Sequence, residues 1–148
     1  MGARQGRVVA VSVSVGKGEK KTPVPSVTLV EEHGVRDDAH AGPGIRQVSL
    51  LAAESIAKMQ AKGLAVGPGD FAENITVEGF DLLNVRLGDR IRVGEAVLEV
   101  SQIGKECHDR CAIYIQAGDC VMPREGVFAR VIRGGGVAPG DPVRREEP

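Results

Sequence analysis

All three cysteines of the chain, Cys107, Cys111 and Cys120, fall within one stretch, IGKECHDRCAIYIQAGDC, which also carries His108. Zinc, a disulfide and thiolate chemistry are the three uses to weigh. Cys107, His108, Cys111 and Cys120 are four potential zinc ligands. Their spacing, C-H-x2-C-x8-C, matches no familiar structural zinc pattern, and adjacent ligands at 107 and 108 strain a shared tetrahedral site. A disulfide needs an oxidising compartment and would leave one thiol over. Cys111 before Ala112-Ile113 and Cys120 before Val121 read as small buried hydrophobes. Cys107 differs, because Lys105, His108 and Arg110 surround it in sequence. Positive charge close in space favours the thiolate. Gly104 permits a tight backbone at a strand end. A thiolate held there can attack an electrophile, carry a persulfide or ligate a soft metal such as molybdenum.

A second concentration of reactive side chains lies in HGVRDDAHAGPG, a Gly-rich stretch with two histidines and two adjacent aspartates. Loops of this kind commonly host function. His33 reads as plain loop, Glu73 equally well as a surface carboxylate, and Lys17, Lys20 and Lys21 as a solvated face.

The elements that must position these groups are mostly strands. RVVAVSVSV alternates with period two, placing Val9, Val11, Val13 and Val15 on one face and Ala10, Ser12 and Ser14 on the other. VTLVEE, RQVSLL, FAENITVEG, LLNVRLGDRIRVG, AVLEVSQIG and the closing PVRR are further strand candidates, with Gly94-Glu95 as a hairpin turn after Arg90–Val93. AAESIAKMQAKG predicts a helix with Ala52, Ile56 and Met59 on one face, a Glu54–Lys58 pair and a stop at Gly63. PREGVFARVIRGG predicts a short helix starting at Pro123, with Val127, Phe128 and Val131 inward. The four Gly-Asp dipeptides, in PGDF, LGDR, AGDC and PGDP, read as turns before strands.

The 148 residues suit one domain, expected to span 1–148 with a core from about 8 to 143. A 42% hydrophobic content with only 3% aromatics predicts an aliphatic core. Twenty glycines and eight prolines favour many turns, hence a mainly β fold, a closed or partly open barrel with a few short helices. A net charge of −1 and few aromatics argue against nucleic-acid binding. No apolar run approaches the roughly 20 residues of a membrane-spanning helix. The N-terminus lacks a signal-peptide pattern, so a cytoplasmic location is expected.

Taken together, GVRDDAHAGPGIRQVSLL, the run from GDFAENITVEG through SQIGKECH, and GDCVMPREGVFARVI resemble the MOSC domain, the C-terminal domain type of molybdenum cofactor sulfurases, in its small stand-alone bacterial form. The order DDAHAG, FAENI, KECH carries the resemblance, which runs from about Val8 to Val143. It implies a pyruvate-kinase barrel-like β-barrel and places the family's characteristic cysteine at Cys107, as sulfur carrier or molybdenum ligand. The implied cofactor is the molybdenum cofactor, a pterin dithiolene with a phosphate. Arg46 is then the candidate for the phosphate, since a guanidinium matches its oxygens. Asn74 is the candidate for the pterin edge, with Lys105 and His108 also placed at the cofactor. Asp38 and His40 join Cys107 as the catalytic candidates, Asp38 setting the His40 tautomer. Loop-stabilising and turn-capping roles stay open for Asp38 and Asn74, and a surface salt bridge for Arg46. The resemblance further implies a molybdoenzyme as acceptor and a cysteine desulfurase as sulfur donor. The chain has no room for the family's pyridoxal-phosphate desulfurase domain, so no pyridoxal phosphate is expected. The alternative reading is a small molybdenum-dependent reductase of N-oxygenated substrates that needs an external electron donor.

Overall fold

The computed structural model describes residues 5–16, 20–39, 41–104 and 125–146. Seven strands close a barrel in the order β1 (Gln5–Val13), β6 (Ile75–Glu78), β5 (Val48–Ala52), β9 (Val127–Arg133), β8 (Ala96–Ile103), β7 (Arg90–Val93) and β11 (Pro142–Arg145). The pairing of β11 back onto β1, with Gly6 opposite Val143, closes the ring. A barrel closed in this way has no free sheet edge in its wall. The short strand β2 (Thr22–Val24) extends β1 beyond that seam. A separate three-stranded sheet joins β10 (Gly135–Val137), β3 (Val27–Val30) and β4 (Gly34–Val35).

The barrel lumen is filled with aliphatic side chains, as the composition requires. Val8, Val11, Leu50, Ile75, Ile91, Leu98, Val127, Val131 and Val143 are all 0–1% exposed and belong to one cluster. Burying each such side chain is worth about 1.5–3 kcal/mol. A second cluster forms outside the wall, where Leu51 and Phe128 point away from the lumen and meet Ile56, Met59, Leu64 and Phe71. The helix α1 (Ala53–Gln60) supplies Ile56 and Met59 to it. This helix is the crossover that parallel strands demand, since β5 and β6 run parallel on either side of it. Gly63, with φ at +89°, follows its last turn. Glu54 and Lys58 do not pair with each other. Glu54 accepts from the Gly79 amide at 2.9 Å, and Lys58 pairs with Glu125 at 2.8 Å.

Three of the Gly-Asp dipeptides make the same turn. Asp70, Asp89 and Asp141 each accept, through Oδ2, the amide of the residue three before, Gly67, Arg86 and Ala138, at 2.9, 2.8 and 2.9 Å. The fourth, Gly118-Asp119, lies outside the described residues. The expected hairpin is present, with Val93 opposite Ala96 across Gly94-Glu95.

Two further expectations are corrected. The segment 127–133 is strand, not helix. Val127, Phe128 and Val131 are buried under either geometry, so the apolar spacing was compatible with both. Hydrogen-bonding places on β8 and β5 decide it, because β9 fills the gap between them. The expected helix start at Pro123 lies outside the described residues. In β1, a bulge between Val8 and Ala10 breaks the alternation, so Val8 and Val11 both enter the core while Val9 is half-buried. Val15, past the strand end, is 97% exposed.

Candidate functional site

The loop 36–47, between β4 and β5, carries Asp38, His40 and Arg46, and it is fastened at both ends. At its start, Asp38 Oδ1 accepts from Lys21 Nζ at 2.8 Å and from the Ser14 amide at 3.0 Å, and Oδ2 lies 3.1 Å from the same ammonium. Both side chains of this ion pair are fully buried, and Lys21 Nζ also donates to Ser14 Oγ at 3.0 Å. At its end, the Gln47 carboxamide, itself buried, accepts from the Val131 amide at 2.9 Å and donates to the Gly44 carbonyl at 3.0 Å. It thereby satisfies a β9 amide beside the start of the β5 ladder, and buried main-chain groups need such partners.

Between these anchors, Arg46 reaches β8. Its Nε donates to Gln102 Oε1 at 2.9 Å, and its guanidinium lies 5.2 Å from the centre of the Phe128 ring. Arg46 is exposed and makes no ion pair with a carboxylate among the described residues. A guanidinium stacked on an aromatic face and held at one nitrogen keeps its outer donors for an anion. Gln102 in turn donates to the Gly104 carbonyl at 2.8 Å. Gly104 ends the strand in the left-handed region, φ +69°, and its amide donates to Gly126 at 2.6 Å. A side chain at that φ is strained, which is the physical content of a glycine at this exit.

Asn74 precedes β6 and is 1% exposed. Its Oδ1 accepts from the Ser49 amide and hydroxyl at 3.1 and 3.2 Å, and its Nδ2 donates to the Ser12 carbonyl at 3.2 Å. The amide therefore ties β5, β6 and β1 together where their ladders run out, and both its ends are engaged within the protein. Glu73, beside it, is not a surface carboxylate. It is 0% exposed, with Oε2 accepting from the Gly69 amide at 3.0 Å and the Thr76 hydroxyl at 2.7 Å. Burial pushes its carboxyl above the ordinary value, and those hydrogen bonds pull it partway back.

Lys21 likewise departs from the solvated face expected for the lysines, since its ammonium is sealed beneath the loop. The sequence holds no signal for this, because a lysine in GKGEKKTPVPS has the same appearance whether it is wet or buried. Glu73 carries a faint one. Phe71, Glu73 and Ile75 alternate as inward-facing positions do, and Phe71 and Ile75 are buried. His33 lies in the turn between β3 and β4, its amide donating to Val30 and its carbonyl accepting from Gly42. His40, Lys105, Cys107, His108, Cys111 and Cys120, with Lys17, lie outside the described residues.

The structure therefore brings Arg46 to the strand that leads into the cysteine segment, and holds Asp38 two residues from His40 by a buried ion pair. At the anion end the residues fit a phosphate-bearing cofactor, with an exposed guanidinium positioned by Gln102 and Phe128.

A closed seven-stranded β-barrel with a βαβ crossover and a fastened loop over one strand exit defines the class of protein. The chain belongs to the MOSC domain family, whose profile matches residues 37–144, and that family is in general related to the molybdenum cofactor. Among solved structures, it resembles the YuaD protein of Bacillus subtilis at 17% identity, covering 98% of both chains with a TM-score of 0.79. It also resembles YiiM of Geobacillus stearothermophilus, at 23% identity and TM-score 0.70, over 96% of this chain and 75% of that one. YiiM of Escherichia coli follows at 22% identity and TM-score 0.66, over 96% and 70%. These likenesses concern the fold. Comparison with curated proteins gives no match. Among the described residues no helix is long and apolar enough to cross a membrane.

Proposed function

We propose that the protein binds the molybdenum cofactor or carries sulfur on Cys107, and delivers sulfur or sulfurated cofactor to a molybdoenzyme. One observation supports this most directly. Arg46 is exposed and is seated on Phe128 and on Gln102, the β8 residue five positions before Cys107 in the sequence. An anion-binding group and a cysteine set among Lys105, His108 and Arg110 are what a phosphate-bearing, sulfur-rich ligand needs.

In this reading Cys107 is the sulfur-carrying or metal-binding group, and Arg46 receives the phosphate. The bound cofactor would supply a molybdenum centre with open positions for oxo or sulfido groups. Lys105 and His108 favour the Cys107 thiolate. As a carrier, that thiolate attacks the terminal sulfur of a donor persulfide on a cysteine desulfurase. A new S–S bond forms on Cys107, and the donor leaves as its thiolate, so the exchange needs no outside oxidant or reductant. In this reading His40, two residues along the sequence from the anchored Asp38, takes part in the same chemistry. Asn74 acts through the wall, holding the strand ends in register.

Native mass spectrometry with metal analysis on freshly purified protein tests the reading. The wild-type chain should carry molybdopterin or a sulfur adduct that reductant removes. Cys107→Ser should lose it, while Cys111→Ser and Cys120→Ser keep it. Equal loss in all three variants, or bound zinc, would sink the proposal.

A further inference from the structure

At the exit of β8, two neighbouring residues grip two neighbouring residues of the 36–47 loop. Ser101 Oγ donates to the Ile45 carbonyl, and Gln102 Oε1 accepts from Arg46 Nε at 2.9 Å. A regular strand would send the side chains of residues 101 and 102 to opposite faces. A bulge brings them to the same loop. Between Val100 and Gln102, β8 advances two residues while β9 moves one, from Ala129 to Phe128. Ser101 is the extra residue, and a bulge of this kind re-aims the side chains around it. The pairing leaves Gln102 opposite Phe128, the ring on which the Arg46 guanidinium rests.

The partners of Gln102 fix the orientation of its carboxamide. Arg46 Nε–H can only donate and the Gly104 carbonyl can only accept, so Oε1 faces the arginine and Nε2 faces Gly104, at 2.8 Å. Gly104 is held from its other side by its amide, which donates to the Gly126 carbonyl at 2.6 Å. One side chain thus ties Arg46 to the strand exit that leads into the cysteine segment.

Other arginines of the molecule are held differently. Among the described residues, Arg7, Arg90 and Arg92 give their Nε to the carboxylates of Glu78, Glu99 and Glu146, whereas Arg46 gives its Nε to a neutral amide. A carboxylate offsets the guanidinium charge and closes the side-on fork of Nε and Nη, as Glu146 does with Arg92 Nε and Nη2 at 3.1 and 3.4 Å. A carboxamide oxygen fills Nε and leaves both the charge and the two Nη groups in place. Those groups form the end-on fork, which matches two oxygens of a phosphate.

We propose that Gln102 is the positioning residue of this anion site. Its neutral carboxamide, turned to the loop by the bulge at Ser101, occupies Arg46 Nε and presents the Nη fork, with its charge uncancelled, to the terminal phosphate of a ligand. Glutamate in its place would have nearly the same shape and the opposite effect. It would hold Arg46 as an ion pair, close the fork and set a carboxylate against the Gly104 carbonyl. That the phosphate belongs to the molybdenum cofactor rests on the function proposed above.

The test uses the full chain with inorganic phosphate as the probe, at constant ionic strength, and reads no cysteine chemistry. Nitrogen-edited NMR follows the Arg46 Nε–H and the Gln102 side-chain amide, assigned by difference with Arg46→Ala and Gln102→Leu. Both signals should move on one saturating curve as phosphate is added. Gln102→Glu should keep the wild-type denaturant midpoint and weaken phosphate binding about tenfold. Gln102→Leu keeps the Arg46 charge and loses its orientation, and should weaken binding less, about threefold. A packing role predicts the reverse order, since leucine is the greater change in shape. No response of Arg46 to phosphate, or Gln102→Glu binding no more weakly than Gln102→Leu, would overturn the proposal. Should Gln102→Glu fail to fold, wild-type affinity in Gln102→Leu would overturn it. Phosphate bound in this way by a chain that carries neither molybdopterin nor sulfur would support this proposal and end the functional one. A cofactor-loaded protein whose Gln102→Glu form takes phosphate like wild type would do the reverse.

Discussion

The inside of the barrel and the polar layer outside its wall are both buried, yet they are built by opposite rules. In the lumen, aliphatic side chains such as Leu98, Ile91 and Val131 share one cluster. Any of several similar side chains would serve there, since dispersion and the hydrophobic effect have little directional demand. Under the loops 36–47 and 67–73, the buried groups include Ser14, Lys21, Asp38, Glu73 and Asn74, held by specific partners, although one Glu73 oxygen has none among the described residues. There every removed atom leaves a charge or a dipole unanswered. The lumen gives the fold its stability in a form tolerant of change. The polar layer gives the candidate site its geometry in a form that is not.

The sharpest way to break this contrast is to remove one member of the buried ion pair. Lys21→Ala leaves Asp38 charged and sealed, and should cost about 3–5 kcal/mol in urea unfolding, with the 36–47 loop opened to proteolysis. A loss below that of an ordinary surface lysine would show that Asp38 reaches water. Leu98→Ala, deep in the lumen, should cost about 2–5 kcal/mol through its cavity, with the loop and its ligand binding preserved. If this variant lost binding as completely as Lys21→Ala, the two regions would not be separable.

Gly69→Ala brings a methyl against the Lys21 carbonyl at a left-handed φ of +89°, and should cost at least about 1–3 kcal/mol of backbone strain. Its effect should fall on the loop anchor, read as faster amide exchange at Lys21. The smallest stability effect is expected for Arg46→Ala, within about 0.5 kcal/mol because the side chain is exposed. Its binding effect should be among the largest, a loss of affinity for phosphate-bearing ligand measured by calorimetry. Arg46→Lys should recover little of it, since an ammonium neither stacks nor forks as a guanidinium does. Unchanged affinity in Arg46→Ala would remove Arg46 from the site.

Much of this architecture is written locally. The Gly-Asp turns, the Arg90–Ile103 hairpin and the helix after β5 each depend on residues within a few positions of one another, so their patterns can be read directly. The aliphatic lumen follows from composition. The motifs DDAHAG and FAENI locate the loop and the strand junction that the structure fastens with Asp38 and Asn74. The polar partners of those residues are another matter. Lys21 meets Asp38 across 17 positions, Asn74 meets Ser12 across 62, and Gln47 meets Val131 across 84. No short-range pattern records such distances.

By itself, then, the sequence determined the strand-and-turn alphabet, the crossover helix and the identity of the chemically capable side chains, because these depend on near neighbours and on hydrophobic period. Only tertiary structure decided that residues 127–133 extend as a strand, since β8 and β5 present backbone groups that a helix there would leave unpaired. It also decided that Lys21 and Glu73, indistinguishable in sequence from wet surface charges, are sealed from water. Burial is a property of what folds over a residue, and in this protein the covering segments come from distant parts of the chain.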